Sequence, residues 1–310
     1  MRTLLCCLLS SLLAAAIEPP VTAIAFAPDG KSVVTGSQAG VKQLSWPDLK
    51  IERTIPTELF NVHDLAFSPD GKMLAVAGGS PAEKGAVELF QWPNAKLIHR
   101  FSPHKDVIHA VAWSADSGTI ATASADQLAK LHDSNGKTKL TLEGHSRGVL
   151  AVVFLPGDKQ VVTAGPDETL RIWDLSTGKL ERNLSHHTKA VTGLAIRPKV
   201  EKTTAEPILA SISDDRTVRI WQPTLGRMAR FARVPSEPRA IVWTADGSTI
   251  VVACKDGSLR VIDPETVEIL ATVPVLDNIA YSLAIASNGD FLVGGRDGQL
   301  KRSSIPSLKR

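Results

Sequence analysis

The residues able to do chemistry in this 310-residue chain are few and scattered. His186 and His187 are adjacent, and His99, His104 and His109 form a loose trio, so imidazole ligation of a metal is the first chemistry to consider. Neither group has the ligand spacing of a zinc site, and no Cys-x-x-Cys pair accompanies them. Asp214-Asp215 is an acidic pair whose flanking residues read as a hairpin tip, where carboxylates cap turns or meet solvent. Cys254 lies in the apolar run Val251–Cys254 and reads as a buried small hydrophobe rather than a nucleophile. A Gly-x-Ser-x-Gly elbow, a phosphate-binding glycine loop and a dinucleotide fingerprint are all missing. Asn183-Leu184-Ser185 is a glycosylation sequon, meaningful only in a eukaryotic secretory pathway. These residues imply no catalytic site, no metal and no cofactor.

The elements that position them are short strands. Runs such as Val33-Val34-Thr35 and Val161–Ala164 are bounded by Gly, Asp, Pro and Ser turns, and no window sustains a helical period. An apolar run ending in a bulky residue and a Pro-Asp-Gly-like turn recurs seven times. Its markers are Phe26, Phe67, Trp113, Phe154, Ile196, Trp243 and Ile285, spaced 41, 46, 41, 42, 47 and 42 residues apart. A period of ~40 residues holds four strands, the size of one propeller blade. Two copies are longer than the rest. The second carries Gly78–Gly85 between its second and third strands, and the fifth carries Lys199–Pro207 between its first and second.

With these residues in view, the chain resembles the WD40-repeat β-propellers, and specifically an exported bacterial member. The fourth copy carries Gly144-His145 and then Asp167–Asp174, ending Ile172-Trp173-Asp174. The fifth carries His187 and Asp215–Trp221. The resemblance implies an all-β fold: a seven-bladed WD40-type β-propeller with four-stranded antiparallel blades. It also implies a structural hydrogen-bond network of His, Ser or Thr, Asp and Trp. In the fourth copy these are His145, Thr163, Asp167 and Trp173; in the fifth, His187, Ser211, Asp215 and Trp221. The third copy offers His104, Thr122 and Asp126, with His132 in the Trp place. The sixth and seventh keep Asp256 and Asp297 but have Ile262 and Ser303 where Trp belongs.

Function follows from the resemblance as an expectation: a non-catalytic scaffold that binds proteins or peptides on one rim of the propeller. The candidate rim residues are Arg147, Lys189, Asp214, Lys255, Tyr281 and Arg296. The competing readings are a propeller enzyme with a metal at the channel mouth, and a cytoplasmic scaffold that is never exported. Net charge of +3, with charges dispersed, opposes a nucleic-acid binder. The expected state is a monomer within a complex.

The N-terminus reads as a secretory signal over residues 1–16: Arg2, an apolar run from Leu4 to Leu13, and a small-residue site ending at Ala16. The run is shorter than the ~20 residues of a bilayer span. Export to the periplasm or exterior is therefore expected, with residues 17–310 as one propeller and no membrane span after cleavage. Removal of Cys6 and Cys7 leaves Cys254 alone, so an internal disulfide is impossible. The seventh copy ends where its outermost strand begins. Either that blade keeps three strands, or the N-terminal segment is retained and pairs with it.

Overall fold

The computed structural model describes residues 17–198 and 206–305. Seven antiparallel sheets follow one another along the chain. The first holds β1 (Ala23–Phe26), β2 (Ser32–Ser37), β3 (Gly40–Ser45) and β4 (Ile51–Ile55), and the second β5 (Asn61–Phe67), β6 (Met73–Ser80), β7 (Lys84–Gln91) and β8 (Lys96–His104). The third holds β9 (Ile108–Trp113), β10 (Thr119–Ser124), β11 (Ala129–Asp133) and β12 (Thr138–Leu142), and the fourth β13 (Ala151–Phe154), β14 (Gln160–Ala164), β15 (Leu170–Asp174) and β16 (Leu180–Leu184). The fifth holds β17 (Val191–Ile196), β18 (Leu209–Ser213), β19 (Thr217–Gln222) and β20 (Arg227–Arg233), and the sixth β21 (Pro238–Trp243), β22 (Ile250–Cys254), β23 (Ser258–Ile262) and β24 (Ile269–Pro274). The seventh holds β25 (Ala280–Ile285), β26 (Phe291–Gly295) and β27 (Leu300–Ser303), three strands among the described residues.

First strands pack in a closed ring, β1 on β5 and so on round to β25 on β1, which places them innermost. The fold is thus a seven-bladed β-propeller. Its turns explain the repeat. In Pro28-Asp29-Gly30 the Asp29 carboxylate accepts the Lys31 N–H at 2.9 Å while Gly30 takes φ +66°, the left-handed region glycine enters freely.

Apolar residues fill the seam between each pair of blades. Second strands such as Ile250–Cys254 are buried along their whole length because both faces meet a neighbouring blade. Burying each Val or Ile side chain of such a strand contributes about 1.5–3 kcal/mol. Among the described residues the seam between blades 7 and 1 is the thinnest. Its fully buried members are Val33, Leu44 and Leu292, supported by Ile24, Phe26 and Trp46. Backbone bonds reinforce it: Val21 N–H donates to Gly295 C=O at 3.0 Å, and Ser282 Oγ donates to Val21 C=O at 2.8 Å. Residues 1–16 and 306–310, on which the questions of the leader and of a fourth strand turn, lie outside the described residues.

The longer second copy is no loop. Gly79 pairs with Gly85 and Ser80 with Lys84, so the extra residues lengthen the β6–β7 hairpin. Most of the other long segment, residues 199–205, is outside the described residues, between β17 and β18.

Candidate functional site

One edge of the ring gathers the connections into each inner strand and the hairpins between second and third strands. Backbone bonds tie the two together, as in Ala125 N–H to Val107 C=O at 3.0 Å and Lys255 N–H to Glu237 C=O at 2.8 Å. This edge, called the upper rim, carries both the polar network and the candidate rim residues.

In blade 4, Trp173 Nε1–H donates to Thr163 Oγ1 at 2.8 Å, Thr163 is 2.7 Å from His145 Nε2, and His145 Nδ1 is 2.8 Å from Asp167. The tautomer follows. Indole only donates and a hydroxyl has one proton, so Thr163 gives its proton to Nε2 and His145 gives its Nδ1 proton to Asp167. Blade 5 repeats this with Trp221, Ser211, His187 and Asp215, at 2.8, 2.7 and 2.8 Å. Burial opposes ionisation of Asp167, but the hydrogen bonds from His145, Thr169 and the Ser146 N–H prevail and hold its carboxyl at about 2. Burial pulls the His187 imidazole below its usual range, against Asp215.

Blade 3 runs the same chain with two imidazoles. His104 bridges Asp126 at 2.9 Å and Thr122 at 2.8 Å, and His132 Nε2 takes the indole's place at 3.0 Å from Thr122. The logic of one hydroxyl proton makes His132 an Nε2–H donor, leaving Nδ1 to accept from Thr138 Oγ1 at 3.1 Å. Burial, with the nearby His104 and Lys130, drives the His132 pKa to about 3, so it stays neutral. In blade 6 the anchor survives without histidine: Asp256 accepts two bonds from Arg260, at 2.8 and 2.7 Å. Blade 2 inverts the charges, with buried Glu88 accepting from Arg100 Nε at 2.8 Å.

The candidate rim residues are spread over blades 4–7. Arg147, Lys189, Lys255 and Arg296 are exposed and Tyr281 is half-buried. Arg296 lines a cleft of about 490 Å³ with Ile17, Pro19, Gln38 and Asp297. Asp214 forms an ion pair with Arg239 at 3.1 Å. That residue exposes what the sequence reading missed. Five inner strands carry a β-bulge near their upper ends, and the unpaired residues are His63, His109, Thr192, Arg239 and Tyr281. A bulge re-aims its side chain out of the alternating pattern. Each bulged residue lies four before its repeat marker, so the signal was present in the register of the repeat; Thr22 and Leu150 hold the same place in blades 1 and 4.

His63 and His109 meet across blades 2 and 3 with ring centroids 5.2 Å apart. Burial and the neighbouring His63 push the His109 pKa down to about 4, while burial lowers His63. Beside them, Asp64 is raised to about 6 by burial, against the N–H groups of Val111 and Leu65 that it accepts at 2.9 Å each. His99 stacks on Phe101 and His186 edges Trp221, so neither tempting histidine group converges on one point. Among the described residues no group of three or more His, Cys, Asp or Glu is arranged to hold a metal, and no helix is long and apolar enough to cross a membrane. Cys254 is buried, and burial raises its thiol pKa.

Comparison with known proteins agrees with the geometry. The WD domain, G-beta repeat family matches residues 10–42, 136–174, 178–222 and 235–263, and the anaphase-promoting complex subunit 4 WD40 domain matches 51–116. Autophagy-related protein 16 of Arabidopsis thaliana is 27% identical over 201 residues, 64% of this chain and 38% of the relative. The p21-activated protein kinase-interacting protein 1-like of Danio rerio is 23% identical over 209 residues, 67% of this chain and 55% of the relative. The serine-threonine kinase receptor-associated protein of Gallus gallus is 29% identical over 195 residues, 62% of this chain and 53% of the relative. The matches span 38–55% of these relatives' own lengths. Seven antiparallel sheets in a ring, the His–Thr–Asp–Trp network and these repeat matches together place the chain in the WD40-repeat β-propeller family.

Proposed function

We propose that this chain is a non-catalytic scaffold that holds a protein or peptide partner on the upper rim, around the mouth of the central channel. The observation that carries the reading is the repeated position four residues before each marker. In five blades a β-bulge takes that side chain out of the strand's alternation, and the seven copies hold Thr22, His63, His109, Leu150, Thr192, Arg239 and Tyr281. Residue type at this position differs from blade to blade, as a recognition surface requires. Two of the relatives carry names that describe interaction or association with kinases or their receptors, which supports a binding role in general and no particular partner here. The test is affinity capture from the native host with the wild-type chain, a Tyr281→Ala/Arg239→Ala variant, and a Lys31→Ala/Lys72→Ala variant on the opposite edge. Partners lost only from the first variant support the reading. Equal recovery by all three refutes it.

Export through residues 1–16 belongs to the same proposal and rests on the leader-like order of Arg2, Leu4–Leu13 and Ala16. The family match beginning at residue 10 overlaps that segment. Intact mass of the protein from its own host decides between them: loss of Met1–Ala16 supports export, and a full-length mass overturns cleavage.

A further inference from the structure

Charge is unevenly distributed around the ring. Blade 5, residues 191–233, holds eight Lys and Arg against four Asp and Glu, whereas the rest of the chain holds 27 against 28. All of the net positive charge therefore belongs to one blade. Three of its arginines, Arg227, Arg230 and Arg233, lie on β20, the outermost strand, which carries no acid. Two of them, Arg227 and Arg233, make no ion pair among the described residues; Arg230 binds Glu265 at 2.9 Å. Phe231 is 38% exposed on the same strand, between the guanidinium groups of Arg219 and Arg233 at 5.3 and 5.7 Å from its ring. Burial and the Arg233 cation together hold the Arg219 pKa down, against Asp215.

Charged residues on an outer strand also serve to discourage edge-to-edge aggregation. That need does not account for β20. The outer strand β24 has no charged residue and β12 only Lys139. Among the described residues β20 pairs only with β19, so its second edge presents free backbone N–H and C=O groups. By its register with β19, Arg233 and Phe231 share one face of β20 while Arg227 and Arg230, across the bulge at Ala229, share the other, so a peptide added as an extended strand at the free edge meets arginines on both of its faces.

We propose that the outer wall of blade 5 is a second docking surface, taking an acidic, extended segment of a partner protein whose carboxylates meet Arg227 and Arg233 and whose apolar side chain covers Phe231. The cationic strip is one blade wide and the remaining chain carries a slight negative excess, so a short acidic segment fits where a long polyanion or a flat anionic membrane meets repulsion at the flanks. This surface is separate from the upper rim and stands or falls without it.

The test is fluorescence anisotropy on the full chain with a labelled 12-residue Asp/Glu peptide carrying one central Phe, in 50 mM and 300 mM salt. Saturable binding at low salt is expected. Arg227→Gln/Arg233→Gln should weaken it about tenfold, the order set by two partly screened charge contacts, and 300 mM salt should weaken it too. Phe231→Ser should weaken binding independently of salt, and Lys96→Gln/Lys139→Gln on other outer strands should leave it unchanged. Matching thermal melts show that each variant is folded. No binding of the peptide, equal binding by the double glutamine variant, or arginine-dependent binding confined to heparin or to phosphatidylserine-containing vesicles overturns the proposal.

Discussion

Thr163→Val removes one hydroxyl, keeps the side-chain shape and leaves two buried groups without a partner. Trp173 Nε1–H loses its acceptor at 2.8 Å, and His145 Nε2 loses its donor at 2.7 Å. Both rings are buried, so water cannot substitute. A stranded buried polar group costs about 1–3 kcal/mol, and the added methyl returns about 1 kcal/mol at most. The expected net loss is about 1–5 kcal/mol, read from urea unfolding followed by tryptophan fluorescence. A cycle with Trp173→Phe isolates the shared bond. Once the indole N–H is gone, Thr163→Val should cost about 1–2 kcal/mol less than in the wild type, because neighbours sharing a partner do not behave additively. A loss below about 0.5 kcal/mol, or full additivity, would falsify the reading of Thr163 as the hub.

Other outcomes follow from the titrating groups and from ring closure. His109 at about 4 and His132 at about 3 resist protons that the unfolded chain accepts near 6.5, so their contribution is present above pH 6.5 and lost as pH falls towards those values. The urea midpoint should fall from pH 7 to pH 5, and His109→Gln should flatten that fall. Asp64 has the opposite sign: raised to about 6, it favours the folded state below 3.8 and loses that contribution as pH rises through 6. Asp64→Asn should therefore raise the urea midpoint more at pH 7.5 than at pH 4, and equal changes at the two values rule the assignment out. Leu292→Ala opens the thin seam between blades 7 and 1 and should cost about 2–5 kcal/mol, measured by the same unfolding assay.

The repeat markers made the ring legible because a strand of fixed length and a Pro-Asp-Gly turn leave the same trace in each blade. The networks of blades 4 and 5 were legible for a similar reason: Asp, Arg and Trp stand at fixed offsets on one hairpin. What escaped was chemistry that keeps a role while changing residue type. Arg260 takes over from histidine at Asp256, and Glu88 with Arg100 reverses the charges, so no residue pattern marks either. The bulges escaped because a single unpaired residue in an inner strand looks, in sequence, like ordinary alternation. Asp214 is one of the expected rim residues, and its ion pair with Arg239 depends on a register between adjacent blades that only the folded ring sets.

These substitutions share a physical logic. The hairpin aspartate needs donors, and the blade supplies whichever is within reach: imidazole in blades 3, 4 and 5, guanidinium in blade 6. An arginine at the position of Arg171 and Arg219 is already within 3.6–3.7 Å of the carboxylate in the histidine blades. In blade 6, which has no histidine there, Arg260 at that position closes on Asp256 to 2.7 Å. In blade 3 the same position holds Lys130, which turns away to donate to Pro103 C=O at 2.6 Å. A pocket of about 360 Å³ lies beside it, lined by Lys105, Asp126, Leu128, Lys130 and Glu143. In blades 3 to 6 the hairpin aspartate thus keeps its place while its donor changes from imidazole to guanidinium.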